Sequence, residues 1–494
     1  MKPTLARMTL LLVLAHRWLG ICLCLMFALW FASGAILMYV PFPSLAENQR
    51  LTHLAALDVS KVTVTPAAAV AAAAVAEIDR VRLIEMPDGP VYVVHPMSGG
   101  VVAVKAGDGK RLTGITSGDA GRIAERFAGQ PVQAVEGPLD YDQWIVHQRF
   151  DPYRPLFRVL VGDRRGSVLY VSARSGDVVQ RTYRNERIWN YFGAVVHWIY
   201  PTFLRKSWAT WDNVVWWLSL VGIAMALAGF YLGIQRSGKS LQNQRNPSIS
   251  PFRRWFRWHH ITGLSVGIFL LTWIFSGWLS MDHGRLFSSG VASPDQVSRY
   301  RGMPLEAAAG QVSIAQVASL APVVEAEIVA LNGHSYLIGR RSESGASFIR
   351  PVQDGDEGSE FAAFPDTVLS QAIQSAWPQA PVRQISGIPA DDSYGRLITE
   401  PLPEASRRVV LGDSPPTWVH VDATSGQIIQ VMDRSRRIYR WLFYALHTFD
   451  VPGLSAMPGI RQALMLALLA AGLLLSVTGA VIGIKRLRRT FSPV

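Results

Sequence analysis

The chain has 494 residues, 49% of them hydrophobic, with 16 tryptophans, 2 cysteines, a net charge of +12 and a mean hydropathy of +0.19. The apolar residues bunch into four long runs, which excludes an ordinary soluble globule, and two cysteines exclude a disulfide framework. The positive charge flanks the apolar runs, as the positive-inside rule requires, so it does not call for nucleic acid as a partner.

The first run, residues 9–40, lies behind Lys2 and Arg7 and reads as a spanning helix. Its basic start and the small residues near Leu45 also fit a cleaved signal peptide, but the run is longer than such a segment needs. Cys22 and Cys24 fall inside it and read as two small buried residues, not as a redox pair or metal site. Residues 41–187 read as an α+β domain. It has a helix over 67–76, a hairpin of VRLIEM and VYVVHP around a Pro-Asp-Gly-Pro turn, a helix over 118–127, and strands at 157–161 and 168–171.

Residues 188–234 hold an interfacial segment with His197 and the second spanning run. The aromatic residues Trp189, Tyr191, Trp198, Tyr200, Trp208, Trp211, Trp216 and Trp217 read as a membrane-interface belt. The loop 235–258 carries Arg236, Lys239, Arg245, Arg253, Arg254 and Arg257 with no acid. The third run, 259–281, is long enough to cross about 30 Å of hydrocarbon.

Residues 282–436 read as a second α+β domain, with helices over 314–320 and 367–376 and strands at 327–331, 335–338, 407–411 and 417–421. Its acidic loop 355–358, beside Asp354, is expected on the surface. Residues 437–484 hold a second interfacial segment with His447 and the fourth run, and the tail 485–494 is basic. Four crossings with both ends in the cytoplasm place the two domains on the far side of the membrane.

His16, Gly20, Ser33, Gly34 and Met38 recur 243 positions later as His259, Gly263, Ser276, Gly277 and Met281. SGDVVQ at 175–180 returns as SGQIIQ at 425–430, and His197 and Gly229 return as His447 and Gly479, all at an offset of 250. The chain reads as a tandem duplication: a membrane protein with four transmembrane α-helices and two α+β extracytoplasmic domains.

A histidine at the mouth of a spanning helix is costly unless it is paired or ligating. The repeat pairs His16 with His259 at one membrane face and His197 with His447 at the other. Two imidazoles facing each other within a helix bundle can take both axial positions of a haem iron. Gly20 and Gly263 would leave room for a flat macrocycle, and Arg17, Arg253, Arg254 and Arg257 are placed to meet propionates. An unpaired interfacial histidine more often hydrogen-bonds backbone or headgroups. His260 takes the place of Arg17 in the repeat, although one residue of helix phase would exchange it with His259. His283, after Asp282, has no counterpart in the first half and is open to ligation, gating or capping. His53, His95, His147, His334 and His420 belong to the external domains. There is no nucleotide-binding fingerprint, HExxH or nucleophile elbow, so any electron donor is a separate molecule.

The HRWLG beginning at His16, RPLFRVLVGD with the following LYVSARSGDVVQ, VVHWIYP at Val195, their recurrence in the second half, and LHT at Leu446 together resemble the PepSY-associated transmembrane family. That family includes iron-regulated inner-membrane proteins of the ferrisiderophore-reductase type. The resemblance implies PepSY-like periplasmic domains in the inner membrane of a Gram-negative bacterium, with both termini cytoplasmic. It also implies two haem b groups on His16, His259, His197 and His447, with His260, His283 and Arg17 as further candidates for the cofactor sites. The partners implied are a lipid bilayer, a cytoplasmic or membrane electron donor and a periplasmic ferric siderophore. A second expectation is a non-enzymatic PepSY membrane protein that binds or regulates a periplasmic partner such as a peptidase. A transporter is disfavoured, because the spanning runs lack midplane charges and broken segments.

Overall fold

Among the described residues, four helices are long and apolar enough to cross a membrane. They are membrane helix 1 (Pro3–Leu37), helix 2 (Trp208–Leu241), helix 3 (Arg254–Leu279) and helix 4 (Pro458–Phe491). The computed structural model describes residues 3–244, 246–342, 347–352 and 360–491, so Arg245 and the acidic loop expected at 355–358 lie outside the described residues. The chain is a multi-pass membrane protein.

Each membrane helix packs against two others in the ring order 1-2-3-4. Leu23, Phe27, Phe31, Trp273, Ile274 and Leu469 fill the middle of the bundle. Glycines admit the two phenylalanines: a Cβ at Gly222 would sit 3.2 Å from the Phe27 ring and one at Gly472 only 2.5 Å from Phe31. One expectation needs correcting here. Cys24 is half-buried but Cys22 is exposed on the outer face of helix 1, because residues two apart on an α-helix point about 200° apart.

Outside the bundle the described residues build three antiparallel sheets. The first half supplies β1 (Ile78–Met86), β2 (Gly89–Pro96), β3 (Val102–Lys105), β4 (Val132–Leu139), β5 (Leu156–Val161), β6 (Val168–Ser172) and β7 (Val178–Thr182). The second half supplies β8 (Glu325–Leu331), β9 (His334–Arg340), β10 (Ser347–Pro351), β11 (Val382–Gly387), β12 (Ser406–Leu411), β13 (Trp418–Asp422) and β14 (Ile428–Met432). Two of the sheets have matching order, β4-β5-β6-β7 and β11-β12-β13-β14. The helix Ser117–Ala128 packs on the first of these, started by a Thr116–Asp119 capping box and stopped by Gly129 at φ +62°. The helix Asp366–Ala376 shares a core with the second.

The third sheet joins the halves. Its order is β10-β9-β8-β1-β2-β3, and β1 meets β8 edge to edge in antiparallel register, with Arg82 opposite Glu327. Sequence patterning gave the hairpins but not this union, since alternation reports which faces are buried and leaves edge partners open.

Buried ion pairs sit at the seam. Glu325, fully buried, accepts from Arg50 at 2.7 Å, Arg82 at 3.0 Å and Arg340 at 2.7 Å. Glu327 accepts from Arg80 at 2.6 Å and pairs with Arg340 at 2.6 Å. Arg82 also reaches Asp177, in the turn before β7, tying the shared sheet to the β4–β7 sheet. Burial works against the Glu327 carboxylate, yet Arg340 and Arg80 hold its pKa down to about 2.

Candidate functional site between the membrane helices

The four paired histidines occupy the bundle interior. His16 in helix 1 faces His259 in helix 3, with ring centres 6.3 Å apart. His197 and His447 lie in short segments leading into helices 2 and 4, and their ring centres are 6.2 Å apart. Both pairs span the two halves. About 17 residues of helix 1 separate His16 from the outer pair's contact at Ser33, which is roughly 25 Å along the bundle.

Local backbone irregularities aim the outer pair. Gly193, at φ −89° and ψ −103°, breaks the helix Arg184–Phe192 just before His197. A π-helical stretch, Trp441–Ala445, precedes His447. Two residues after each histidine the chain reverses through a left-handed residue, Ile199 at φ +50° and Phe449 at φ +52°.

All four rings are held through Nδ1. His16 Nδ1 donates to the Met225 carbonyl at 3.1 Å. His259 Nδ1 lies 3.2 Å from Thr478 Oγ1, His197 Nδ1 3.1 Å from Ser33 Oγ, and His447 Nδ1 3.0 Å from Ser276 Oγ. Each of those hydroxyls already donates its proton to a helix carbonyl: Thr478 to Leu475, Ser33 to Trp30 and Ser276 to Trp273. With the hydroxyl protons so directed, the imidazole supplies the proton at Nδ1, the tautomer that leaves the lone pair on Nε2. A histidine fixed in this way is set up to ligate a metal through Nε2.

Glycine opens the space for each ring. A Cβ at Gly229 would sit 2.3 Å from His16 Cε1, and at Gly479 3.3 Å from His259 Cε1. Gly34 and Gly277 stand 3.3 and 3.6 Å from Cε1 of His197 and His447 in the same sense. Beside Gly20, one turn from His16, an added Cβ would meet nothing within 4 Å.

The donor set can be tested against a cofactor. A metal about 2 Å from one nitrogen of each ring, with that nitrogen about 1.1 Å from the ring centre, sets the centres about 6 Å apart. Both pairs match. Among the described residues no three His, Cys, Asp or Glu side chains form a group that would hold a bare ion. Paired imidazoles at this spacing are compatible with the two axial positions of a haem iron, where a macrocycle brings the remaining ligands.

The further sequence candidates lie elsewhere. His260 is turned away from the pair, with Nδ1 3.0 Å from Ser250 Oγ and Nε2 3.0 Å from the Gly233 carbonyl. His283 packs on Trp208 and places Nδ1 3.2 Å from Asp212 Oδ1. Arg17 is half-buried, and Arg253, Arg254 and Arg257 are exposed; none has an ion-pair partner among the described residues. Of the interfacial aromatics, Trp189, Tyr191 and Trp217 are exposed, as a belt requires, whereas Tyr200 and Trp211 are buried.

Sequence reading missed the anchors Ser33, Ser276, Met225 and Thr478 and the ring-facing roles of Gly229 and Gly479. For the serines and glycines the signal was present in the 243 and 250 offsets, which carry Ser33 to Ser276 and Gly229 to Gly479; Met225 and Thr478 fall opposite Leu475 and Ala228 and gave none. Arg461 in helix 4 was also missed. It donates to the carbonyl of Thr448, next to His447, at 2.9 Å, and its buried Nε has no partner among the described residues.

A family model, the PepSY-associated TM region, matches residues 13–486, and the chain belongs to that family. A search of curated proteins finds no match.

Proposed function

We propose that the protein is a haem b electron carrier of the bacterial inner membrane that reduces a ferric-siderophore-type complex on the periplasmic side. In this reading the chain is a tandem duplication whose termini and basic 235–258 loop are cytoplasmic, with residues 41–187 and 282–436 as PepSY-like periplasmic domains. His16 and His259 would hold the inner haem, and His197 and His447 the outer one. Haem supplies one-electron chemistry, and a group at each end of the bundle lets the protein carry electrons from a cytoplasmic or membrane donor to an acceptor outside.

The observation that carries this reading is the pairing of the four histidines, whose rings lie 6.3 and 6.2 Å apart with every Nδ1 in contact with a backbone carbonyl or a hydroxyl, an arrangement that favours the tautomer with the lone pair on Nε2. The chain's own residues do three things. Met225, Thr478, Ser33 and Ser276 fix the rings and raise their basicity as ligands. The packed apolar core between the pairs keeps water out. Arg461 stands ready to meet an anionic group beside His447 with its free Nε.

The test is reduction across a vesicle membrane. Protein reconstituted with a reductant trapped inside and a ferric chelate outside should generate ferrous iron outside, detected by a ferrous-specific dye. His16→Ala with His259→Ala should abolish it. Haem-replete wild-type protein that leaves the external chelate ferric would overturn the reductase reading.

A further inference from the structure

A cavity of about 600 Å³ opens in the first external domain, away from the membrane helices, beside the β4–β7 sheet. Its wall carries three guanidinium groups, Arg164, Arg165 and Arg181, and none of them has a carboxylate within ion-pair reach among the described residues. The one acid in the wall, Asp163, is spent on its own loop, accepting from Ser167 N at 2.8 Å and from Ser167 Oγ at 2.5 Å. Arg165 and Arg181 lie over the Tyr183 ring, at 5.4 and 5.2 Å from its centroid. Arg181 is further positioned by Gln49 at 2.9 Å. His53, edge-on to Phe127, also lies beside Arg181, with Nε2 3.3 Å from its Nη1.

A basic surface is often no more than a solvated face, and the second half of the chain supplies a control. At the offset of 250, Asp163 and Ser167 become Asp413 and Thr417, which make the same two bonds at 2.7 and 2.5 Å. The loop skeleton is therefore common to both halves. The charge is not: Arg164, Arg165 and Arg181 become Ser414, Pro415 and Val431, and Tyr183 becomes Asp433. The fold builds this loop and sheet without the arginines, so their convergence needs a reason other than folding.

We propose that this cavity binds a multivalent anion with aryl surface, an anionic metal chelate of the catecholate type. Three unpaired guanidiniums match a triply negative complex, and guanidinium offers paired donors to its oxygens. Tyr183, half-buried in the wall, offers its ring to an aryl group, over the buried Phe127. The volume lies in the range of small-molecule sites. Tyr183 directly precedes the helix Arg184–Phe192, whose far end leads to His197, so the cavity stands at the other end of that helix from the outer pair. The identification of the ligand as a ferric chelate rests on the reductase reading; the anion and aryl preference rests on the cavity alone.

The test uses the tris complex of gallium(III) with N,N-dimethyl-2,3-dihydroxybenzamide, which is triply negative and has the shape and charge of the ferric complex but is not reduced. Its binding to the full-length protein in detergent is measured by equilibrium dialysis with gallium analysis. We expect saturable binding of one complex per chain that weakens with added salt and loses about tenfold or more in affinity in R165Q/R181Q. Circular dichroism and the haem spectrum of that variant should be unchanged. Affinity unaffected by R165Q/R181Q would overturn the proposal, as would equal competition by inorganic phosphate, which would mark a simple anion site. Absent binding in protein with an intact haem spectrum removes this cavity and leaves the redox reading standing. Gallium binding in protein without haem does the reverse.

Discussion

Arg82 stands directly opposite Glu327 where β1 and β8 join, and the two residues hold equivalent places in their hairpins, each four positions before the last residue of its strand. Around them Val81 faces Ile328 and Leu83 faces Ala326, so the junction is self-complementary in register but opposite in charge. Arg80 and Arg82 on one strand meet Glu325 and Glu327 on the other. Two copies of β1 paired in the same way would oppose arginine to arginine, and two copies of β8 glutamate to glutamate. The charges therefore favour the union of unlike halves.

Removing one partner from this buried set leaves charges without compensation, which costs about 3–5 kcal/mol. Glu325→Gln, which takes a charge from three arginines at once, should lower the Tm of the full-length protein by several degrees. Lys110→Gln, at an exposed pair, should leave it unchanged. Equal Tm values for both variants would refute a structural role for the network.

Acid should weaken the same region in two steps. Burial first, and next the Arg82 charge, lowers the His95 pKa to about 4 from an ordinary 6.5. Between those values the unfolded chain binds a proton that the folded one refuses, so stability present above pH 6.5 is lost as pH falls toward 4. Glu327, lowered to about 2 from 4.5, adds a second loss only below pH 4.5. His95→Gln should make the dependence of Tm on pH between 6.5 and 4 shallower, with His147 and the buried His420 keeping part of it, and leave the lower limb intact. An unchanged profile would rule His95 out as the source.

The glycines facing the histidines give a local test of the inner site. Gly229→Ala would place a methyl group 2.3 Å from His16 Cε1 and should cost the inner haem, whereas Gly238→Ala in the same helix, with nothing within 4 Å, should not. Gly20→Leu projects into space the protein leaves open. It should fold normally yet exclude the macrocycle, and full haem retention in that variant would place the cofactor elsewhere.

Ser33→Ala and Ser276→Ala together remove the hydroxyl acceptors of His197 and His447. The Trp30 carbonyl, 3.2 Å from His197 Nδ1, remains as a fallback for that ring, so haem should stay bound. Weaker donation from Nδ1 makes imidazole a poorer ligand for ferric iron. The outer midpoint potential should rise by tens of millivolts, a small part of the roughly 0.8 V that axial ligands command. A fall in potential would contradict the assigned tautomer.

The membrane helices and the histidine pairs were legible in the sequence because hydropathy and a fixed repeat offset are both one-dimensional signals. Register favoured His259 and left His260 open, one residue of helix phase away; the structure sets His259 beside His16 and turns His260 toward Ser250 and Gly233. The shared sheet was not legible. Arg80 and Arg82 read as ordinary charges on an alternating strand until β8 is placed beside them. The arginine cavity was hidden for a similar reason, since Arg164, Arg165 and Arg181 come from a loop and a strand and are closed in by His53 and Phe127 from elsewhere in the chain. The anchoring serines lay in the repeat, but hydroxyls inside spanning helices usually bond their own backbone, and Ser33 and Ser276 do that as well as holding the rings.

Haem content per chain tests the central claim most directly. Purified wild-type protein should carry two haem b groups by pyridine haemochrome, with a low-spin reduced spectrum. His16→Ala with His259→Ala should retain one, His197→Ala with His447→Ala should retain the other, and the quadruple variant should retain none. Wild-type protein without haem, or a full complement surviving in either double variant, would contradict the assignment.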